Sequence, residues 1–313
     1  MVLLFASSFD DPSPWLAEIT RALPDLETRV APDVGDLSAI RYALVWRPEP
    51  GLLARLPNLQ VIFSLGAGVD ALLVDPTLPP GVPLVRMVDD GLTEGMTEYV
   101  VLHVLAWHRQ LYAYRSQQAE KQWRPRAELL ARERTVGILG LGTLGTDAAL
   151  ALSHLRFPVL GWSRSPKSVP GVQTYAGGTA TEGALAAMLP QCDMLVNLLP
   201  LTPATLGILN ADLFAALPQG AFVINAARGD HLVEADMIQA LDTGHITGAT
   251  LDVFHSEPLP SDHPLWTHPK VVVTPHTASV SHARTAARTV IDGIRRHRAG
   301  QDQMHQVDRV RGY

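Results

Sequence analysis

Three residue types that can work together follow apolar runs in the second half of the chain. Arg228 comes after Ala221-Phe222-Val223-Ile224-Asn225, Glu257 after Leu251-Asp252-Val253-Phe254, and His276 after Val271-Val272-Val273-Thr274-Pro275. Hydride transfer to a carbonyl needs a proton donor for the developing alkoxide and positive charge near the oxygen. A histidine held by a carboxylate supplies the first, because the carboxylate favours imidazolium. An arginine supplies the second and can also clamp a substrate carboxylate. Taken singly, each reads better as a solvated arginine, a loop glutamate and a histidine filling a polar gap. Together, at successive strand ends, they point to a site.

The element that must position such a site is Thr135 to Leu150, TVGILGLGTLGTDAAL. It opens as a strand through Val136, Ile138 and Leu139, reads Gly140-Leu141-Gly142-Thr143-Leu144-Gly145, and runs into a helix. Gly140 permits the tight turn, Gly142 lets backbone approach a pyrophosphate, and Gly145 lets the helix pack close to the strand. The helix start presents unpaired N–H groups and a positive dipole end to the phosphates. With a strand before it and a helix after it, this is a dinucleotide-binding fingerprint. The next strand, Phe157 to Trp162, ends in Ser163-Arg164-Ser165-Pro166-Lys167, where an NAD enzyme usually places Asp or Glu for the ribose hydroxyls. A missing carboxylate with two cations suits a 2′-phosphate, so NADPH is expected and NADH should bind more weakly. The competing reading of Arg164 and Lys167 is an ordinary solvated loop.

Strands and helical patterns alternate along the chain, which implies parallel βα units. Strands fit residues 2–6, 43–46 and 59–64, and a helix fits Asp11 to Leu23. The third strand opens into Leu65-Gly66-Ala67-Gly68-Val69, either a nest for a small anion or a plain turn. Trp46 ends a strand near that turn, as the wall of a small pocket or as a core residue. Gly91 to Trp123 carries the longest helical spacing and reads as one helix able to cross between domains. Strands then fit 193–198, 221–225, 247–253 and 271–274, and helices fit 181–189, 210–217 and 234–241. Together with the fingerprint strand and the strand after it, these form a doubly wound sheet, with ligands expected beyond the carboxyl ends of its strands. The last helix, Ser281 to Arg298, should return with the tail to the N-terminal domain.

Length and composition bound the class. The chain has 313 residues, enough for about two domains. Its net charge of −6 argues against a nucleic-acid binder, which would show a basic face. Cys192 is the single cysteine, so no internal disulfide forms. The histidines fall in no metal-ligand spacing, so no metal site is expected. No apolar stretch spans a membrane, and no targeting segment is convincing. The expected compartment is the cytoplasm.

Asn225-Ala226-Ala227-Arg228-Gly229, Leu251-Asp252-Val253-Phe254, Ser256-Glu257-Pro258-Leu259, Thr274-Pro275-His276-Thr277-Ala278 and Leu199-Pro200-Leu201-Thr202-Pro203 resemble the D-isomer-specific 2-hydroxyacid dehydrogenases. The resemblance covers essentially the whole chain. Trp46, Gly161-Trp162-Ser163-Arg164-Ser165 and Trp123-Arg124-Pro125 are most similar to the branch that reduces glyoxylate and hydroxypyruvate. The implied fold is two doubly wound parallel-sheet α/β domains. A Rossmann nucleotide-binding domain, residues 103–284, would be inserted into a flavodoxin-like substrate-binding domain, residues 1–102 and 285–313. The resemblance implies His276 as acid–base, Glu257 as its partner and Arg228 as substrate clamp. Backbone amides of Ala67 and Gly68 would take the substrate carboxylate, beside Trp46. The cofactor would contact Gly140, Gly142, Thr143, Leu144, Gly145, Ser163, Arg164, Ser165, Lys167, Leu199, Pro200, Thr202 and Ala226. Asp252 would lie near its carboxamide, or serve equally as a structural strand-end residue. A homodimer joined through the nucleotide-binding domains is also implied.

The expected activity is NADPH-dependent reduction of a small 2-keto acid, glyoxylate to glycolate or hydroxypyruvate to D-glycerate. The alternatives are a reductase of another 2-keto acid and a non-catalytic NAD(H)-sensing corepressor that binds protein partners. Two features depart from the family. Pro166 replaces a second basic residue, which weakens the expected NADPH preference. Asp230-His231 after the Arg-Gly pair is unusual, and His231 reads as structural.

Overall fold

A computed structural model describes residues 1–312. The chain divides into two units, one comprising Met1–Thr93 and Val280–Tyr313, the other Glu94–Ser279.

The first unit holds strands β1 (Val2–Ser7), β2 (Glu27–Val30), β3 (Ile40–Trp46), β4 (Val61–Ser64) and β5 (Leu84–Val85), all parallel, in the order β2-β1-β3-β4-β5. This is the flavodoxin-like doubly wound order. β1 and β4 are apolar throughout except for their terminal serines, as strands covered on both faces must be. A helix over Pro12–Ala22 starts where Asp11 accepts a hydrogen bond from the Ser13 amide, with Pro12 at the first position. The Ala283–Arg298 helix returns to this unit. It buries Ala286, Ala287, Val290, Ile291, Gly293 and Ile294, one helical stripe, and Gly293 lies so close to the Phe63 ring that a methyl group would overlap it. Its last turn carries Arg295, Arg296, His297 and Arg298, which complement the negative end of the helix dipole.

The second unit holds β6 (Val136–Leu139), β7 (Val159–Ser163), β8 (Val172–Ala176), β9 (Met194–Asn197), β10 (Ala221–Asn225), β11 (Ile246–Leu251) and β12 (Val271–Val273), all parallel, in the order β12-β11-β10-β9-β6-β7-β8. Alternate side chains feed two cores. Leu195, Val223 and Ala249 pack on one face, and Met194, Val196, Phe222 and Ile224 pack on the other.

Two expectations need correction. The helical stretch expected over 91–123 is two helices, Asp90–His108 and Leu111–Ala119, parted at Gln110 in the left-handed region (φ 58°). The Gln110 amide side chain pairs with Ala127 and Arg126, a tertiary contact that the apolar spacing does not reveal. Strands β2, β5 and β8 were not expected. β2 and β8 are sheet edges with half-exposed polar residues, and β5 has two residues, too short for a pattern.

Candidate active site

The strands of the second sheet end together. Register aligns Trp162, Leu139, Asn197, Asn225, Leu251 and Val273 in one row across β7, β6, β9, β10, β11 and β12. Every candidate residue of this unit lies beyond that row, on the carboxyl edge where open α/β sheets bind ligands.

Beyond β6, Gly140 takes φ 100°, and a methyl group on it would sit 2.7 Å from the Leu198 carbonyl oxygen. A methyl group on Gly145 would overlap the Gly140 oxygen, whereas Gly142 faces open space. The helix Thr143–His154 has no side-chain cap, and its first intrahelical bond runs from the Thr146 amide to the Gly142 carbonyl at 2.9 Å. The amides of Thr143, Leu144 and Gly145 therefore have no acceptor within the helix. An unencumbered glycine beside three outward amides fits a dinucleotide pyrophosphate. Beyond β7, Ser163 is buried and its Oγ donates to the Ser165 carbonyl at 2.7 Å, while Arg164, Ser165 and Lys167 are exposed.

The expected catalytic set occupies the other strand ends. His276 Nδ1 lies 2.8 Å from Glu257 Oε2. A carboxylate only accepts, so the ring donates from Nδ1 and Nε2 is the atom left to exchange a proton. The second carboxylate oxygen of Glu257 accepts from the Phe254 amide at 3.1 Å, which fixes its orientation. His276 is a non-glycine residue at φ 53°, a conformation that costs roughly 1 kcal/mol. Asp252 holds it there. Its Oδ1 accepts from Thr274 Oγ1 at 2.6 Å and the Thr277 amide at 2.9 Å, and its Oδ2 accepts from the Ala278 amide at 2.9 Å. The His276 amide donates to the Asp252 carbonyl at 2.8 Å. Asp252 thus buckles the histidine loop. Tyr99 extends this buckle, its hydroxyl lying 2.7 Å from Thr274 Oγ1. Since Thr274 donates to Asp252, Tyr99 donates to Thr274, and burial raises the Tyr99 hydroxyl above its ordinary value.

Arg228 is half-buried and donates from Nη1 to the Ala227 carbonyl at 2.7 Å. The following Gly229 lies against the Phe254–His255 backbone so closely that a methyl group would overlap the Phe254 carbonyl. The arginine and glutamate loops therefore touch backbone to backbone, and Asp230 pairs with His255 across the same contact. Asp230 raises the His255 imidazole above its ordinary value.

In the first unit, Trp46 covers the turn after β4: a methyl group on Gly66 would lie 2.5 Å from its ring. Ala67 and Gly68 are half-exposed beside it. The helix that follows, Asp70–Leu73, is a single turn. The sequence assigns no role to Asn197 and Asn225, which are fully buried at the ends of β9 and β10, or to Gly229. Asparagine is depleted in strands, so its recurrence at the last position of two buried strands was a usable signal.

Cys192 is buried, and burial pushes its thiol up to about 12, which makes it an inert packed group. Among the described residues no cluster of His, Cys, Asp or Glu could hold a metal, and no helix is long and apolar enough to cross a membrane.

Residues 101–278 match the family model of the D-isomer specific 2-hydroxyacid dehydrogenase NAD binding domain. The whole chain superposes on solved structures of similar proteins. A D-isomer specific 2-hydroxyacid dehydrogenase from Xanthobacter autotrophicus Py2, in complex with NADPH and MES, is 44% identical over 100% of this chain and 99% of its own, with a TM-score of 0.95. An NADPH-dependent glyoxylate/hydroxypyruvate reductase from Sinorhizobium meliloti, in complex with NADP and sulfate, is 43% identical over 100% and 99%, with a TM-score of 0.93. A probable 2-hydroxyacid dehydrogenase from Rhizobium etli CFN 42, in complex with NADP, HEPES and L(+)-tartaric acid, is 39% identical over 100% and 99%, with a TM-score of 0.90. The chain belongs to the D-isomer-specific 2-hydroxyacid dehydrogenases, a family of oxidoreductases that act through a nicotinamide dinucleotide.

Proposed function

We propose that this protein reduces small 2-keto acids with NADPH, taking glyoxylate to glycolate and hydroxypyruvate to D-glycerate. The observation that carries the reading is the 2.8 Å His276–Glu257 pair on the same sheet edge as Arg228 and the glycine cradle. NADPH supplies the hydride that reaches the carbonyl carbon. Gly142 and the Thr143, Leu144 and Gly145 amides hold the pyrophosphate, Arg164 and Lys167 read the 2′-phosphate from Ser163 outward, and Leu199, Pro200, Thr202 and Ala226 line the rest of the cofactor. Arg228 polarises the carbonyl oxygen and holds the carboxylate. His276 gives its Nε2 proton to the alkoxide, and Glu257 holds the ring in place by accepting from Nδ1. The second unit is the nucleotide-binding domain and the first the substrate-binding domain, with the Ala67 and Gly68 amides on the carboxylate and Trp46 limiting substrate size.

The test follows the absorbance of reduced nicotinamide with glyoxylate, hydroxypyruvate and bulkier 2-keto acids, using NADPH and then NADH. The expected result is turnover of the two small acids, faster with NADPH. No turnover of any 2-keto acid would overturn the reading. The protein acts as a homodimer through its second unit, which exposes Leu102, Leu111, Leu129, Leu130 and Trp123, the last at 96%. Light scattering should give twice the 33.9 kDa chain mass.

A further inference from the structure

We propose that His231 is a positioning residue that holds the Leu199–Thr202 loop and the Arg228 loop in one fixed relation through its Nε2–H tautomer. The roles of those two loops rest on the function proposed above. The tautomer itself follows from geometry alone.

His231, Asn197 and Asn225 are each fully buried. Backbone donors fix both asparagines. The Leu199 amide donates to Asn197 Oδ1 at 3.3 Å, so Asn197 Nδ2 is the atom turned toward its neighbours. The Ala227 amide donates to Asn225 Oδ1 at 3.3 Å, and Asn225 Nδ2 donates to the Arg228 carbonyl at 3.0 Å. Asn197 Nδ2 then spends its two hydrogens on Asn225 Oδ1 and on His231 Nδ1, each at 3.0 Å. A carboxamide nitrogen only donates, so His231 Nδ1 must accept and the ring proton sits on Nε2. Nε2 donates to the Pro200 carbonyl at 3.3 Å, an oxygen that also accepts from Thr205 Oγ1 at 2.7 Å. The ring therefore reaches the cofactor-side loop through Pro200, and the arginine loop through Asn197 and Asn225. The His231 carbonyl accepts from the Leu209 amide at 2.8 Å, which anchors the ring's own backbone. An aliphatic side chain would fill the same space but leave a buried Asn197 N–H without an acceptor.

Two substitutions divide the ring's bonds. His231→Gln keeps a donor near the Nε2 position for Pro200 and loses the acceptor for Asn197. His231→Asn keeps an acceptor near the Nδ1 position and cannot reach Pro200. NADPH affinity, read by nicotinamide fluorescence without turnover, should stay within about threefold of wild type in His231→Gln and weaken roughly tenfold in His231→Asn. The kcat/KM for glyoxylate at saturating NADPH should show the reverse, falling roughly tenfold in His231→Gln and less in His231→Asn. Equal losses of both constants in the two variants, or a lowered melting temperature with neither constant moved, would overturn the proposal. The wild-type protein gives a reading that survives misfolded variants. Its 15N-labelled histidines, with His231 assigned through contacts to the Asn197 side chain, should include a ring with a protonated Nε2 and a bare Nδ1 near neutral pH. An Nδ1–H or doubly protonated ring there would also overturn it. A wild-type protein that reduces no keto acid would end the functional reading, yet leave the tautomer and NADPH affinity measurable.

Discussion

Gly66 lies in the turn after β4 and Gly145 in the first turn of the helix after β6, yet a side chain on each would meet different obstacles. On Gly66 it would meet the Trp46 ring, and on Gly145 the Gly140 carbonyl oxygen. The first glycine makes room for a side chain, which can rotate. The second makes room for a helix against its own strand, where nothing can yield without moving backbone. The helices differ accordingly. One has four residues, Asp70–Leu73, and the other twelve, Thr143–His154. Glycine between a strand and a helix is thus one letter with two meanings, and only the second stands at the start of a full-length helix.

Substitutions can break or sharpen that contrast. The largest effect is expected on the edge of the second sheet: His276→Asn should lower turnover by about two to four orders of magnitude, with NADPH affinity unchanged. Next is Gly145→Ala, which should weaken NADPH binding roughly ten- to a hundredfold and lower the melting temperature, because the overlap is with backbone. Gly66→Ala should leave NADPH affinity alone and raise the KM for glyoxylate as Trp46 swings aside. An equal loss of NADPH affinity in Gly66→Ala would erase the distinction between the turns. Trp46→Ala should then improve bulky 2-keto acids relative to glyoxylate, and an unchanged ranking in a folded variant would remove Trp46 from the substrate pocket.

The smallest effect belongs to the exposed His255–Asp230 pair between the arginine and glutamate loops. Its folded His255 lies above the ordinary value of 6.5, so its contribution is fully present below that value and fades as pH rises through the raised one. His255→Ala should therefore reduce kcat/KM by at most about threefold on the acid side, with no effect at alkaline pH or in high salt. A loss that grows with pH would contradict this sign.

The legible parts of the molecule were those where the order and spacing of several residues together narrow what each one alone leaves open. The fingerprint glycines, the apolar strands and the Arg–Glu–His order mark the second sheet and its edge in the sequence. Gln110 was not legible, because its left-handed turn is made by contacts to Arg126 and Ala127, sixteen and more residues away. The edge strands β2 and β8 were hidden by half-exposed polar residues that resemble loops. Asp252 read equally as ligand or strut, and only its three hydrogen bonds to the Thr274–Ala278 loop reveal the strut. His231 read as structural from its odd place after Arg-Gly, but its two asparagine partners sit at the ends of other strands, and register alone brings them together.

The central claim is that the edge of the second sheet binds NADPH through the loop after β7. Titrating NADPH and NADH against wild type and Arg164→Ala tests it most directly. A charge-assisted contact to the 2′-phosphate is worth about 1.5–3 kcal/mol, so the NADPH dissociation constant should rise roughly 10- to 100-fold. NADH, which lacks that phosphate, should bind as before, and the preference should narrow or invert. Equal weakening of both cofactors would mean that Arg164 supports the loop instead of reading the phosphate, and would contradict the assignment of NADPH.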